Sequence, residues 1–286
     1  MLTIEKFHVC LRFFRPYGWI APKNWTWHYA PIKPIKWETY MSTSSSELIK
    51  SKSMQPRKYQ SAAWLVSNCD TSSDREDYVE ELQKYFPIHT YGRCGLNQCP
   101  GADDGPTYDM NSKCFDFISK NYMFYLSFEN SLCADYVTEK FFKALTFGIV
   151  PIVLGGAKYS EIAPPKSYIN VADFTSPKDL ANHLQHLVKN QTAYQEYFQW
   201  TKYFKVYGTK NHQNRAMCQL CQALNDENRK PKIYQNMDKW WKKGSRCEKE
   251  GRFPWSNPEK TTTAKPSAMR QFFNSFIKVI PVQPHD

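Results

Sequence analysis

Two cations lie where a helix ordinarily disfavours them. Arg75 and Lys140 each fall in the first turn of a helix that is indicated by the apolar pattern after it. The macrodipole and the unpaired N–H groups make that end of a helix positive. A cation there becomes favourable when an anion occupies the site, so two such helix starts could hold a diphosphate. Alternatively, Arg75 offsets the acids of its own helix, and Lys140 pairs with Glu139 or with solvent.

Four further side chains near Lys140 carry groups that could bind a nucleotide sugar. Glu139 has a carboxylate suited to two neighbouring hydroxyls, as on a ribose, although a first-turn acid is also stabilised by the helix dipole alone. Tyr136 would lie within reach of a nucleotide, or it could be a core aromatic. Glu129 and Asn130 follow a strand and could bind sugar hydroxyls or a base. Their alternative role is to cap the following turn.

The elements that must position these groups form one continuous run, residues 125–156. Residues 125–128 have the apolar, aromatic character of a buried strand. A helix follows, which Asp135 can cap and which Gly148 can end in a left-handed conformation. A second apolar strand is predicted over residues 149–154. A strand, a helix and a strand with short connections form a parallel unit, whose ligands bind at the carboxyl ends of the strands.

Three motifs in this run carry a resemblance to a known family. They are FEN at residues 128–130, YVTEK at residues 136–140 and VPIVLGG at residues 150–156. Together they closely resemble the donor-binding signature of the α1,3-fucosyltransferases. The similarity extends over about residues 61–205 and is closest to the branch that fucosylates the N-glycan core.

The resemblance implies an α/β fold of the GT-B type, with a Rossmann-like parallel sheet as donor domain and a partial second, acceptor domain. The implied reaction is inverting transfer of fucose from GDP-fucose to a GlcNAc hydroxyl of an N-glycan glycoprotein. Lys140 and Arg75 would bind the diphosphate and Glu139 the ribose. The implied site requires no cofactor or metal, although Mn²⁺ could stimulate it. The alternative is a catalytically inactive GDP-sugar-binding relative that acts as a regulator or chaperone.

The pattern along the chain predicts four regions. By the resemblance, residues 1–60 are a remnant of the acceptor domain and a linker, and residues 61–205 are the GDP-fucose donor domain; in the latter, strands and helices alternate. Residues 206–260 indicate a helical segment with a CxxC motif, and residues 261–286 a tail. Within the donor domain, Ser73 and Glu76 form a capping box for one helix. Ser176 and Pro177 open another.

The chain has nine cysteines, a content typical of an oxidising compartment. Cys94 and Cys99 flank a glycine-containing turn, and Cys218 and Cys221 form the CxxC; these four are the disulfide candidates. A zinc site is the less favoured alternative, because neither pair has a nearby histidine. The resemblance implies that the CxxC is tied back to the acceptor domain. Two sequons, which begin at Asn24 and at Asn190, are candidates for glycosylation and agree with a secretory route.

The net charge of +11 is unevenly placed, because residues 1–60 and 206–286 are basic whereas residues 61–205 are net acidic. An acidic core disfavours a nucleic-acid-binding protein. The sequence has no apolar run of the ~20 residues that a membrane span needs, and its start does not resemble a signal peptide. Members of the resembled family are held in the Golgi membrane by an N-terminal anchor. We therefore expect a Golgi lumenal protein of which this chain is a fragment or a shortened product.

The family's general base, a glutamate of the acceptor domain, has no evident counterpart here. Glu5 and Glu38 are the only acids before Glu47, and neither lies in the expected motif. An exposed surface position is the simplest expectation for both. The identity of a catalytic base is therefore left open.

Overall fold

The computed structural model describes residues 18–23, 35–41, 57–99, 112–208, 221, 224–225 and 235–247, with only the backbone at 112 and 240–243. Its strands are β1 Gly18–Pro22, β2 Tyr59–Leu65, β3 Ile88–Tyr91, β4 Tyr122–Phe128, β5 Val150–Leu154, β6 Ile169–Asn170 and β7 Phe204–Gly208. Its helices are α1 Trp37–Met41, α2 Arg75–Leu82, α3 Ser112–Asn121, α4 Glu139–Thr146, α5 Pro177–Lys189, α6 Gln191–Glu196 and α7 Met237–Gly244.

The predicted parallel sheet is confirmed. Five strands pair in the order β3-β2-β4-β5-β6, and every pairing is parallel. The central strand β4 is buried along its whole length, as expected for a strand covered on both faces. Phe128 pairs with Leu154 at the ends of β4 and β5, so the loops that leave these two strands begin side by side.

Helix α4 returns the chain from β4 to β5 and confirms most of its predicted pattern. Phe141, Ala144 and Leu145 are buried, as one apolar face requires. Gly148 has a φ of 69° after the last turn, the left-handed conformation that glycine adopts without steric cost. Helix α4 therefore packs on the sheet and holds its first turn at the carboxyl ends of the strands.

The helix predicted to open at Ser176 is also confirmed, as α5. The Ser176 side chain accepts a hydrogen bond from the Asp179 backbone N–H, with Pro177 in the first turn. Asn190 then caps α6 by accepting from the Ala193 N–H at 3.0 Å. Because Asn190 is exposed, glycosylation there stays a prediction that its surface position permits. Asn24 lies outside the described residues.

A second, two-stranded sheet joins β1 to β7, which are antiparallel with Gly18 opposite Gly208. We call these two strands the ribbon. A Cβ atom at Gly18 would lie 2.4 Å from the Phe142 side chain of α4, so only glycine allows this close approach. Residues 204–208 are extended, whereas the sequence predicts a helical segment from residue 206. The helical prediction is therefore wrong for residues 206–208, because strand pairing with β1 overrides the local sequence pattern.

The described residues contain three disulfide bonds. They are Cys69–Cys94, Cys99–Cys114 and Cys133–Cys247. Among the described residues Cys221 is an exposed free cysteine. Cys218 lies outside them, and the expected tie from the CxxC to the acceptor domain stays a prediction. Within the ranges that the structure covers, no helix has the length and apolar character needed to cross a membrane.

Candidate nucleotide-sugar site

The candidate site lies where the loop from β4 to α4 meets the loops that leave β2 and β5. Ser72, after β2, donates to Asn130 O at 3.3 Å and shares a hydrogen bond of 2.9 Å with Ser131. On the other side, a Cβ atom at Gly156 would lie 2.7 Å from the backbone of Leu132. The loop that carries most of the predicted site residues is thus packed from both sides.

Glu129, the first residue after β4, is fully buried. Its Oε1 accepts from the Thr138 backbone N–H at 2.7 Å, and its Oε2 accepts from Thr138 Oγ1 at 2.8 Å and from Lys140 Nζ at 3.3 Å. Burial raises the pKa of Glu129, and the Lys140 charge opposes that rise. With no exposed surface, the carboxylate is not open to a ligand in this conformation. The geometry instead shows Glu129 in its alternative role, in which it caps the following turn.

The start of α4 differs from the predicted one. Asp135 was expected to cap the helix, but it lies three residues too early, with a left-handed φ of 64°. Thr138 occupies the N-cap position instead and makes no cap bond with its own side chain. Instead, Glu129, just after the end of β4, accepts the hydrogen bond from the Thr138 backbone N–H. Local spacing favoured Asp135, whereas the contact that orders this turn spans nine residues.

Lys140 and Glu139 form the open part of the site. Lys140 lies in the first turn of α4, as predicted, and its side chain is 16% exposed against 29% for Glu139. Lys140 Nζ lies 2.8 Å from Thr138 Oγ1 and 3.5 Å from Glu139 Oε1. The expected alternative, in which Lys140 pairs with Glu139, is therefore present together with the pairing to Glu129. An ammonium group held in this way can still face a ligand anion.

Arg75 also lies in the first turn of its helix but is buried. Its guanidinium donates to Phe128 O at 2.7 Å, Asn130 Oδ1 at 2.8 Å, Asn68 O at 2.9 Å and Glu76 Oε1 at 3.0 Å. These bonds use four of the roughly five N–H donors of a guanidinium. Arg75 thus ties the ends of β2 and β4 together. Its direct contact with a diphosphate stays a prediction, which would require it to release some of these partners.

The predicted capping box before α2 is wrong. Asp74, with a left-handed φ of 49°, is the N-cap residue. Ser73 Oγ donates instead to Glu129 O at 2.7 Å, and Glu76 accepts from Thr71 Oγ1 at 2.9 Å. The Glu76 carboxylate is used instead in an ion pair with Arg75, at 3.0 Å.

Asn130 and Tyr136 are the remaining predicted site residues, and both are half-buried at the loop surface. The side-chain oxygen of Asn130 is occupied by Arg75, which leaves its amide N–H groups as the donors for a ligand. The Tyr136 backbone N–H donates to Cys133 O at 3.2 Å. The structure thus gathers Glu129, Asn130, Glu139 and Lys140 around one loop, with Arg75 behind it.

Two functional features escaped the sequence analysis. Thr138 bridges Glu129 and Lys140 although it lies inside the YVTEK motif. The loop is also fixed to the C-terminal part of the chain, through the Cys133–Cys247 disulfide and a bond of 2.9 Å from Ala134 N to Ser245 O. No spacing signal marks a pair 114 residues apart. Among the described residues no group of three or more His, Cys, Asp or Glu could hold a metal ion.

The possible catalytic base is likewise not placed. Glu38 is an exposed residue in the first turn of the short helix α1. This agrees with the surface position expected from the sequence. Glu5 lies outside the described residues. Within the part of the chain that the structure describes, the geometry therefore assigns no proton acceptor.

Residues 55–240 match the family model for the C-terminal part of glycosyltransferase family 10 (fucosyltransferase). The chain is 38% identical over 201 residues to α-(1,3)-fucosyltransferase fut-1 of Caenorhabditis elegans, covering 68% of this chain and 44% of that protein. It is 37% identical over 235 residues to glycoprotein 3-α-L-fucosyltransferase A of Drosophila melanogaster, covering 78% and 44%. The chain thus spans less than half the length of these relatives.

A crystal structure of an α1,3-fucosyltransferase with GDP-fucose is also similar, with a TM-score of 0.44 and 23% sequence identity. The match covers 62% of this chain and 49% of that one.

Proposed function

This chain belongs to glycosyltransferase family 10, and from that membership we propose that it forms the donor-binding part of an α1,3-fucosyltransferase. The enzyme would transfer fucose from GDP-fucose, with inversion, to a GlcNAc hydroxyl of an N-glycan glycoprotein. The observation that carries the proposal is the family match, which includes the whole β4–α4–β5 unit. The fucosyltransferase relatives named above support the same reaction class.

In this proposal, the residues of the β4–α4 loop bind the departing diphosphate and its nucleoside. Inverting transfer is a single displacement, in which the acceptor oxygen bonds to the sugar as the bond to GDP breaks. Negative charge develops on the diphosphate, and a fixed cation stabilises it. Lys140 is the partly exposed cation of the loop, and Glu139 would bind the ribose hydroxyls. Asn130 and Tyr136 would contact the donor from the loop surface.

We propose that the enzyme acts in the Golgi lumen, held at the membrane by an anchor. Three disulfide bonds support an oxidising compartment. An exposed sequon at Asn190 agrees with a secretory route. Lys140 would offset part of the diphosphate charge without a metal, so no metal cofactor is proposed, and stimulation by Mn²⁺ stays a prediction.

Nucleotide preference tests the donor assignment directly. We expect calorimetry to show tighter binding of GDP and GDP-fucose than of UDP, because the YVTEK resemblance is to enzymes with a guanine-nucleotide donor. Transfer of radiolabelled fucose from GDP-fucose to a panel of N-glycans would then identify the acceptor. Equal affinity for the two nucleotides, or tighter binding of UDP, would refute the donor assignment.

Lys140→Ala should weaken GDP binding by about 1.5–3 kcal/mol, the range for hydrogen bonds to charged groups. The reason is loss of the ammonium that faces the diphosphate. Lys158→Ala is the matched control, because Lys158 is exposed in the next loop and pairs with Glu161 at 2.7 Å. Similar GDP affinity in the two variants would show that Lys140 takes no part in donor binding.

A further inference from the structure

Lys140 is held by residues that a ligand cannot reach. Glu129 is fully buried and Thr138 is 3% exposed, yet both contact the Lys140 ammonium, at 3.3 Å and 2.8 Å. The Thr138 hydroxyl accepts from Lys140 and donates to Glu129. These three groups form a chain from the protein interior to the partly open site.

The carboxylate of Glu129 needs a cation, because an ionised buried group is costly unless it is paired and hydrogen-bonded. Lys140 is the cation that contacts it within the described residues. An ammonium has about three N–H donors, of which Thr138 and Glu129 take two. The third is left for an anion on the exposed side, where Glu139 competes at 3.5 Å.

We infer that Glu129 is a positioning residue: with Thr138, it holds the Lys140 ammonium so that the free N–H faces the diphosphate of the donor. The inference rests on the proposed function, since it takes the diphosphate as the ligand of Lys140. It assigns Glu129 no contact with sugar or base. The residue acts only through Lys140.

Action through Lys140 can be separated from a general structural role by a double-mutant cycle. Glu129→Gln keeps the side-chain shape but turns an N–H donor toward Lys140 and Thr138, which are donors themselves. We expect this variant to bind GDP about tenfold more weakly. Binding of guanosine, which lacks phosphate, should stay within about twofold when measured by ligand-observed NMR titration.

The effect should disappear once Lys140 is absent. Lys140→Ala removes the ammonium that Glu129 positions, so the Glu129 side chain then has no route to the diphosphate. Adding Glu129→Gln to Lys140→Ala should therefore change GDP affinity by less than about twofold. Thermal unfolding and circular dichroism would verify that each variant is folded.

Three results would overturn the inference. Glu129→Gln could weaken GDP binding equally with and without Lys140, it could weaken guanosine binding as much as GDP binding, or it could leave GDP binding unchanged or tighter. If Glu129→Gln does not fold, Glu129→Asp, which keeps the charge but withdraws it by one methylene, should show the same loss for GDP alone. Failure of the unaltered chain to bind GDP would instead contradict the proposed function.

Discussion

Arg75→Ala should lower the free energy of unfolding by ~3–5 kcal/mol, the loss expected when one partner of a buried ion pair is removed. The substitution leaves the Glu76 carboxylate, which is 6% exposed, without its cation. It also removes three bonds to Asn68, Phe128 and Asn130 that join the ends of β2 and β4. Because whole domains are stable by only ~5–15 kcal/mol, this single change should remove a large part of the stability of the fold.

Urea unfolding followed by circular dichroism measures this loss. Lys84→Ala is a suitable control, because Lys84 pairs with Glu81 in the open, with 59% of its side chain exposed. Such a surface pair contributes at most about 1 kcal/mol. If the Arg75→Ala variant unfolds at the same urea concentration as the control, the guanidinium does not stabilise the fold.

Replacing both Cys133 and Cys247 with serine should lower stability by ~4.8 kcal/mol, the chain-entropy estimate for so long a loop. The bond joins residues 114 apart, so the unfolded chain gains much freedom when it is removed. Both cysteines are replaced together so that no unpaired thiol can form a new disulfide. The measurement is urea unfolding under non-reducing conditions.

The matched comparison is the double serine variant at Cys99 and Cys114. That bond closes a loop of 15 residues, for which the same estimate gives ~3 kcal/mol. Removing the longer bond should therefore lower stability more than removing the shorter one. The reverse order would mean that the C-terminal attachment contributes little to the native fold.

Elements whose pattern is local could be predicted from the sequence. The β4–α4–β5 unit is one case, since Gly148 ends its helix as expected and Phe141 lies on the buried face. The same holds for α5, where Ser176 caps the helix with its own side chain. In each case the residues that decide the structure lie within a few positions of each other.

Contacts between distant residues account for what could not be predicted. Ser73 was assigned to a local cap, but its hydroxyl bonds to the backbone of Glu129, 56 residues away. Glu129 was expected to meet a ligand, and only the tertiary structure reveals that Thr138 and Lys140 enclose it. The sequence therefore indicated which residues gather at the site but not which of them face outward.

The ribbon determines how the fold responds to tension. Gly18 and Gly208 are opposite each other at one end of the ribbon, and Pro22 and Phe204 are opposite each other at the other end. A pull applied between residues 18 and 208 thus loads the ribbon's hydrogen bonds one pair at a time, starting at Gly18. Opening of the ribbon also separates Gly18 from Phe142 of α4, which it contacts closely. We expect the ribbon to open under such a pull before the candidate site is disrupted.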